Sequence, residues 1–392
     1  MKVKIIVIAT VVSAAALGVV GLYAKSKLQG SKVRLYYSID VDAAVADRVA
    51  TIAADLQDEA DTNNEAIKVA LVKTGVIVAT AAEGTDLDAF RKRVSERYKD
   101  TLSLKKAGAS RLEVRLKKDH ESKLRTYMLR SVTHTARQRL IAFFGNNADI
   151  GLYRDRGNML RVELPPLDAK KLAEFKSRIA AQGNLEFRMA DDVAPLTTRA
   201  AKKLKGNPKV TLKTDEYDGL KRGKIKFAFL ASQDRDALVR FLGGLKGDLA
   251  PPPNREFLLG ETWNYDAQKP QHMTYYLHRK PLLSGKHIGS AKVEWDERTS
   301  RPEVALTFTA QGAKLFESVT GKYIGHRLAI ILNGQVNSAP VIQAPIKGGR
   351  ARITLGEFKS PVALQQEAND LVAVLQAGTL PARISLVKTE NR

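Results

Sequence analysis

The stretch EVALTFTAQGAKLFESVTGKYIGHRLAIILNG, residues 303–334, decides how this chain folds. Residues 303–308 place an apolar side chain at nearly every second position, which is typical of a half-buried strand. Leu315 and Val319 then recur at helical spacing, and the apolar run 328–332 predicts a second, fully buried strand. The stretch therefore predicts a strand, a helix and a strand in close succession.

This succession belongs to a longer element order, β-α-β-β-α-β, which we find in three predicted units. They are residues 33–106, 110–190 and 300–392. Between the second and third units, residues 191–299 are rich in lysine and contain the rigid run Pro251-Pro252-Pro253. We interpret this segment as an inserted subdomain. The sequence thus predicts an α+β fold with repeated units and one insertion.

The N-terminus predicts a single membrane helix within residues 1–26. Residues 5–24 form a run of 20 without a charged side chain, long enough to cross the hydrocarbon core of a bilayer. Lys2 and Lys4, followed by Ala14-Ala15-Ala16, leave a cleaved signal peptide as the alternative. The apolar run is longer than export signals need, so we favour a retained anchor with the remaining chain outside the cytoplasm.

The composition and motifs of the chain exclude several classes of catalytic, metal and cofactor site. The chain has no cysteine, which excludes disulfides, thiolate metal sites and cysteine nucleophiles. Its six histidines include no pair at metal-binding helical spacing, and no nucleophile elbow, phosphate-binding glycine loop or dinucleotide fingerprint occurs. We therefore predict no catalytic residue, no metal and no cofactor.

The net charge of +22 predicts attraction to an anionic partner. The densest basic segment is 202–226, where Tyr217 is the only aromatic residue before the segment ends. Surfaces that bind nucleic acid usually interleave aromatic side chains for stacking. We therefore expect no nucleic acid, and interpret the segment as a solvated face or one drawn to anionic lipid headgroups.

Several segments resemble the first periplasmic domain, P1, of the SecD and SecDF protein-export subunits. Besides the opening stretch, they include LQAGTLPA at 375–382, IKGG at 346–349, and LEFR at 185–188. The resemblance covers most of residues 110–390. The positions that carry the family pattern are Gly312, Phe316, Gly325, Ser338, Pro340, Gly348, Gly349, Gly378 and Pro381.

The resemblance implies a fold and a way of binding. The repeated units would be ferredoxin-like and form a base, and residues 191–299 would be a mobile inserted head that grips unfolded polypeptide. Apolar head residues would then be candidates for that contact, although each also fits a head core. The candidates are Phe227, Phe229, Phe241, Leu242, Phe257 and Leu258.

The resemblance also implies a setting at the cell inner membrane, with the bulk of the chain periplasmic and with SecF-like or translocon subunits as partners. Family members continue into further membrane helices where this sequence ends at Arg392. We therefore expect a single-pass form without its own proton pathway, since one helix lacking Asp and Glu cannot form a proton relay. The alternative is a scaffold subunit of another envelope membrane complex that reuses the same fold.

Overall fold

The structure is a computed structural model of the chain. The residues it describes are 32–73, 75–145, 149–204, 209–264, 268–355 and 360–391. The anchor predicted at 1–26 lies outside them. Helices and strands follow one another throughout this part, so the predicted mixture of α and β structure is confirmed. None of the helices described here is both long and apolar enough to cross a membrane.

The helices are α1 (Val41–Thr62), α2 (Leu87–Arg97), α3 (Lys118–Phe144), α4 (Ala169–Ala180), α5 (Leu196–Ala201), α6 (Arg235–Gly243), α7 (Ala310–Lys322) and α8 (Pro361–Ala377). Most of them begin beside a side-chain oxygen that accepts a hydrogen bond from the first turn, which satisfies an otherwise unpaired N–H group. These capping residues are Asp40, Asp86, Asp168, Asp234, Thr309 and Ser360.

The strands are β1 (Val33–Asp40), β2 (Ile67–Lys73), β3 (Val76–Ala81), β4 (Leu102–Lys106), β5 (Arg111–Leu116), β6 (Gly151–Arg154), β7 (Met159–Leu164), β8 (Leu185–Met189), β9 (Thr211–Asp218), β10 (Lys224–Ser232), β11 (Arg255–Asn264), β12 (Lys269–His278), β13 (Leu283–Ser284), β14 (Ile288–Asp296), β15 (Arg301–Phe308), β16 (Leu328–Leu332), β17 (Gln335–Ser338), β18 (Arg350–Thr354) and β19 (Arg383–Asn391). They form four sheets, with the orders β19-β1-β7-β6, β2-β3-β5-β4, β14-β15-β18 and β13-β8-β16-β17-β11-β12-β10-β9.

The first of these sheets, with α3 and α4, forms what we call the base. Its neighbouring strands are all antiparallel. β1 alternates buried and part-exposed side chains, so Leu35 and Tyr37 point into the same apolar core as Leu140 of α3 and Phe175 of α4. This alternation is what a sheet covered on one face requires.

The two ends of the described chain meet in the base, because Val33 of β1 pairs with Asn391 of β19. The opposite end of these strands is where Asp40 pairs with Arg383. There α1 leaves the sheet, and the backbone N–H of Leu380 donates to the carbonyl of Gln182 just beyond α4. Both long insertions into the base therefore start from the same end of it.

The first insertion carries β2 to β5 and α2, and we call it the first lobe. The C-terminal part of α1 supplies Ile52 and Leu56 to its core, where they meet Phe90 of α2 and Leu112 of β5. The N-terminal residue of the same helix, Val41, lies in the base core. One continuous helix thus joins the base to the first lobe.

The second insertion, β8 to α8, is the second lobe. Its main core places Phe187 of β8 against Phe308 of β15 and Phe316 of α7, with ring centroids 4.8–5.7 Å apart. The helix α8 packs on β14 and β15, where Leu364 and Ala368 are fully buried. This core joins β8, β15, α7 and α8, while the strands β9 to β12 pack in smaller separate clusters.

The two lobes touch through the C-terminal half of α1. Asn254, only 3% exposed, donates from its side-chain nitrogen to Asp58 at 2.8 Å and Asp61 at 3.0 Å. Lys280 pairs with Asp55 at 2.8 Å. These carboxylates recur every three residues, so they share one face of the helix.

The predicted units 33–106 and 300–392 do not form separate sheets. The strand β1 pairs with β19 and β7, which belong to different predicted units, and β16 pairs with β8. Alternating apolar residues identify a strand but not its partner, because pairing is decided by long-range contacts. The division of the chain into three ferredoxin-like domains and one head stays a prediction.

Candidate polypeptide-binding site

A cleft with a volume of about 570 Å³ lies between the second lobe and the end of α4 in the base. The strands β11 and β12 form one wall, and α8 with the C-terminal turn of α4 forms another. The strand β17 lies between these two walls. Clefts of roughly 300–1,000 Å³ are the usual size for ligand sites. This cleft is therefore our candidate binding site.

The cleft exists because the eight-stranded sheet splays at its middle. The strands β11 and β17 are paired only at Gly260 and Val336, in parallel orientation. A side chain at Gly260 would lie 2.6 Å from the carbonyl oxygen of Val336 and 2.8 Å from the Tyr275 ring. Only glycine permits so close an approach. Gly260 thus acts as the crossing point from which the two halves of the sheet diverge.

The lining mixes apolar and polar side chains. Leu332, Val336 and Leu371 supply apolar surface, while Asn333 and Asn337 supply amides that can both donate and accept hydrogen bonds. The Asn337 amide donates to the carbonyl of Thr354 at 2.9 Å, and the Asn333 amide accepts from the backbone N–H of Asn184 at 3.2 Å. The lining therefore combines apolar surface with amide groups.

Arg139 of α3 is only 5% exposed and contacts the end of α4, which lines the cleft. Its Nη1 donates to the carbonyls of Arg178, Ile179 and Ala181 at the end of α4, and its Nη2 donates to the carbonyl of Gly378 at 2.9 Å. These are groups that helix ends leave unpaired. One cation therefore ties the last turn of α4 to the end of α8.

Burial lowers the pKa of the Arg139 guanidinium to about 10. The side chain still carries its charge at neutral pH, because that value lies well above 7. Its positive charge also faces the negative ends of two helix dipoles, which favours it. The charge is thus compensated by backbone carbonyls rather than by a carboxylate.

The six predicted head residues lie in separate apolar clusters. Phe227 and Phe229 are buried in one cluster with Met273. The remaining four are half-buried. Phe241 and Leu242 belong to α6 and pack against the cluster that contains Leu230, Leu258 lies near Leu277, and the ring centroids of Phe257 and Tyr276 are 4.9 Å apart. None of the six lines the described cleft. Their role in binding polypeptide stays a prediction.

Phe227 has a further role, because Arg327 stacks on its ring with 3.8 Å between the guanidinium carbon and the ring centroid. Arg327 also pairs with Asp192, and both side chains are nearly inaccessible. Tyr217 donates its hydroxyl to the same carboxylate at 3.0 Å. This network joins β9 and β10, at one edge of the eight-stranded sheet, to the residue before β16 near its middle.

Several family-pattern positions are close backbone approaches. Gly312 leaves no room for a side chain, since a Cβ there would lie 2.6 Å from the carbonyl oxygen of His287. Gly325, Gly348, Gly349 and Gly378 adopt positive φ, between 60° and 88°, which favours glycine.

The other four positions of the pattern are Phe316, Ser338, Pro340 and Pro381. Phe316 is buried in the main core, and the carbonyl of Pro340 accepts from Leu328 at 2.9 Å. Ser338 lines the cleft, and Pro381 precedes β19 in the base. Their assigned role is structural and stays a prediction.

The basic segment is less concentrated than its sequence suggests. In the hairpin of β9 and β10, Asp215, Glu216 and Asp218 stand among the lysines, and Lys224 pairs with Glu216 at 2.8 Å. Lys209 likewise contacts Asp234 at 3.0 Å. The residue Lys205 lies outside the described residues.

Among the described residues, no group of three histidine or acidic side chains is placed to hold a metal ion. Burial lowers the pKa of His278, His287 and His326, with nearby cations adding to the effect. His272 lines the cleft beside Glu261, its cross-strand partner.

Sequence reasoning missed the cleft. It singled out neither Arg139 nor Gly260. For Arg139, the available signal was its position four residues after Thr135, on the inward face of α3. The splay at Gly260 depends on β17, which lies 75 residues further along the chain, and no local pattern announces it.

Comparisons with known proteins point to one family. The family model for the SecDF P1 head subdomain matches residues 261–382. This range includes only the last part of the predicted head, 191–299, and most of the predicted base unit 300–392. The match overlaps both predicted segments, and the division of the chain into base units and an inserted head stays a prediction.

Several protein translocase subunits match part of the chain. The chain is 49% identical over 112 residues to protein translocase subunit SecD of Syntrophobacter fumaroxidans, covering 29% of this chain and 20% of that protein. It is 33% identical over 190 residues to subunit SecDF of Thermus thermophilus, covering 44% and 24%. It is 30% identical over 256 residues to SecD of Anaeromyxobacter dehalogenans, covering 60% and 40%. The chain therefore spans less than half the length of these relatives.

A solved structure of SecDF, described as a membrane component that enhances protein export, is 26% identical, with 67% of this chain and 92% of that chain covered and a TM-score of 0.42. The family match and the relatives confirm the resemblance read from the sequence motifs, and this chain contains a P1 region of the SecD type.

Proposed function

We propose that this chain takes part in protein export by holding translocating polypeptide outside the cytoplasm. The observation that carries the proposal is the match of residues 261–382 to the SecDF P1 head subdomain, together with SecD relatives up to 49% identical. The cleft beside β17 is the place where the polypeptide binds. Its amide and apolar lining suits an extended chain of variable sequence.

The geometry of the base supports an orientation at the membrane. Residue 32 and the last strand meet at one end of the base, and both lobes leave from the other end. If residues 5–24 cross the inner membrane, the lobes extend away from it into the periplasm. SecF-like or translocon subunits would then contact the base, and proton coupling would come from another polypeptide.

A photo-crosslinking experiment tests the proposal. A photoreactive amino acid replaces Gln335, an exposed residue of the cleft on β17, in the full chain in its native membrane. We expect crosslinks to an export substrate that is stalled during translocation. The matched control carries the same amino acid at Ser103, an exposed residue of β4 in the first lobe. Equal yields at both positions, or none at Gln335, would refute binding in the cleft.

The scaffold alternative predicts a different outcome. If the chain is a structural subunit of another envelope complex, affinity purification from membranes yields stoichiometric partners unrelated to export. Under the export proposal, the same purification yields translocon or SecF-like subunits. Crosslinks to substrate at Gln335 would decide between the two even when the partners are lost during extraction.

A further inference from the structure

The sheet of the first lobe has one covered face and one open face. On the covered face, alternate residues of its four strands share one apolar core with α1 and α2. Successive side chains of a strand point to opposite sides of a sheet, so the residues between them belong to the other face. We call this second surface the open face. Its exposed residues are Lys68, Ala70, Thr80, Ser103, Lys105, Arg111 and Arg115.

The strand register brings the cations of the open face together. Lys68 of β2 is opposite Thr80 of β3, and Thr80 is opposite Arg111 of β5, so these three form one row across the sheet. Two residues further along β5, Glu113 is opposite Lys105 of β4. Directly opposed residues have Cβ atoms about 4.5–5.5 Å apart. A segment that lies across the strands therefore meets several cations within a short distance.

The open face is positively charged. Its cations are Lys68, Lys105, Arg111 and Arg115, and its carboxylate is Glu113. Glu113 lies 3.5 Å from Arg115, so it compensates one of the cations at most. Residues 74 and 75, which connect β2 to β3, are threonine and glycine and add no charge. The sign of the face is therefore set by its lysines and arginines.

Two of these cations lack a carboxylate of their own. In the part of the chain that the structure describes, the side chains of Lys105 and Arg111 form neither an ion pair nor a hydrogen bond. The face does receive one carboxylate from another part of the molecule, because Asp248 of the second lobe lies 3.2 Å from Lys68 and both side chains are largely exposed. Lys105 and Arg111 remain available for carboxylates of another molecule.

The rest of the surface favours a protein as the anionic partner. The edge strand β2 exposes Leu71 and Val72, by 45% and 54%, beside the cations. A polypeptide can offer apolar and acidic side chains together. The exposed residues of the open face include no aromatic side chain on which a nucleic-acid base could stack. The lobe also leaves the base at the end opposite residue 32, away from the predicted membrane helix.

We infer that the open face of the first lobe is a docking surface for an acidic segment of a partner protein, held mainly by Lys105 and Arg111. An extended segment with an acidic residue at every second position directs all its carboxylates to the face. Complementary charge speeds the encounter and discriminates against cationic partners. The inference goes beyond the proposed function, because it concerns a different lobe and a different partner from the polypeptide in the cleft.

Fluorescence anisotropy with the purified full chain tests this inference. The probes are unstructured peptides of one sequence that carry glutamate, glutamine or lysine at alternate positions and leucine at two of the others. We expect the glutamate peptide to bind most tightly, and its advantage to shrink as salt is raised. Addition of this peptide should slow hydrogen exchange in β2, the edge strand, more than in β1 of the base.

Two double variants with the same net charge locate the binding. Lys105→Gln, Arg111→Gln should weaken binding of the glutamate peptide roughly fivefold, as expected for two exposed ion pairs. The control, Arg130→Gln, Arg137→Gln, removes two exposed cations of α3 and should weaken it far less. Circular dichroism of each variant establishes that it is folded.

Several results would overturn the inference. Equal weakening in both double variants would mean that the peptide responds to the overall charge of the chain. A lysine peptide that binds as tightly as the glutamate peptide would refute the charge class. An oligonucleotide, or a vesicle containing phosphatidylglycerol, that depends on Lys105 and Arg111 more strongly than the peptide does would assign the face to nucleic acid or to a membrane. Crosslinking at Gln335 tests the proposed function separately from all of these.

Discussion

Replacing Arg139 by methionine should separate the end of α4 from the end of α8. Methionine preserves the unbranched apolar stem but removes every donor from a side chain that is only 5% exposed. The carbonyls of Arg178, Ile179, Ala181 and Gly378 would then lose their shared partner. These four groups lie at the crossing between the base and the second lobe, where water replaces a buried donor poorly.

Two opposing contributions determine the size of the effect. A hydrogen bond to a charged group stabilises a fold by about 1.5–3 kcal/mol, and Arg139 makes four of them to backbone carbonyls. Against this, burial lowers its pKa from 12.5 to about 10. That shift corresponds to a cost of about 3 kcal/mol for keeping the charge inside. The hydrogen bonds outweigh the cost, and we expect Arg139→Met to lose about 3–5 kcal/mol of stability.

Urea titration followed by circular dichroism measures the loss, with Arg137→Met as the matched control on the same helix. Arg137 is exposed and should change the midpoint little. Arg139→Lys keeps the charge but offers a single nitrogen, so it should fall between Arg139→Met and the unchanged chain. Hydrogen exchange should accelerate at residues 178–183 and 374–380 first. A midpoint for Arg139→Met equal to that of Arg137→Met would refute the reasoning.

Further predictions concern other contacts of the second lobe. In thermal melts, Gly325→Ala should lower the stability of the fold by about 2–4 kcal/mol, because the new Cβ would overlap a backbone carbonyl of the β9–β10 turn and the residue would have to keep positive φ. Gly334→Ala is the control: it also has positive φ but open space around the Cβ, and it should cost only about 1 kcal/mol. Burial, and then nearby cations, lower the pKa of His278 in the folded protein below its unfolded value of about 6.5. Because the folded state disfavours the protonated histidine, the melting temperature should fall as pH drops below about 6.5. It should fall less in His278→Gln. Asn254→Asp places a carboxylate against that of Asp58 and should accelerate hydrogen exchange at the end of α1 more than Asn254→Ala does. Equal exchange rates in both variants would contradict the role of the Asn254–Asp58 hydrogen bond in joining the two lobes.

Local patterns were sufficient to find most elements. The alternation in 303–308 and the helical spacing of Leu315 and Val319 correspond to β15 and α7, because burial of one face imposes a period of about two on strands and about 3.6 on helices. Helix starts are harder to locate from sequence. Asp86 caps α2 next to Thr85, and Asp234 caps α6 two residues after Ser232; each of these polar side chains could accept the same type of backbone hydrogen bond.

The family motifs can also be recognised from the sequence without knowledge of the fold. They cluster where the backbone itself is constrained, as at Gly312 and Gly349, where a Cβ would meet neighbouring atoms at 2.6 Å and 2.5 Å. Such constraints leave a recognisable residue at a fixed position. The motifs of 303–382 therefore identified the region that the SecDF P1 head model matches.

What the sequence by itself determined about this protein is its set of strands and helices, its mixed α and β class and its resemblance to the SecD P1 region. Only the tertiary structure decided that β1 closes against β19, that two lobes leave one end of the base, and that β11 and β17 diverge at Gly260. The physical reason is distance along the chain. Periodicity records whether a residue is buried, but a strand edge or a buried cation such as Arg139 finds its partners only when segments far apart in sequence pack together.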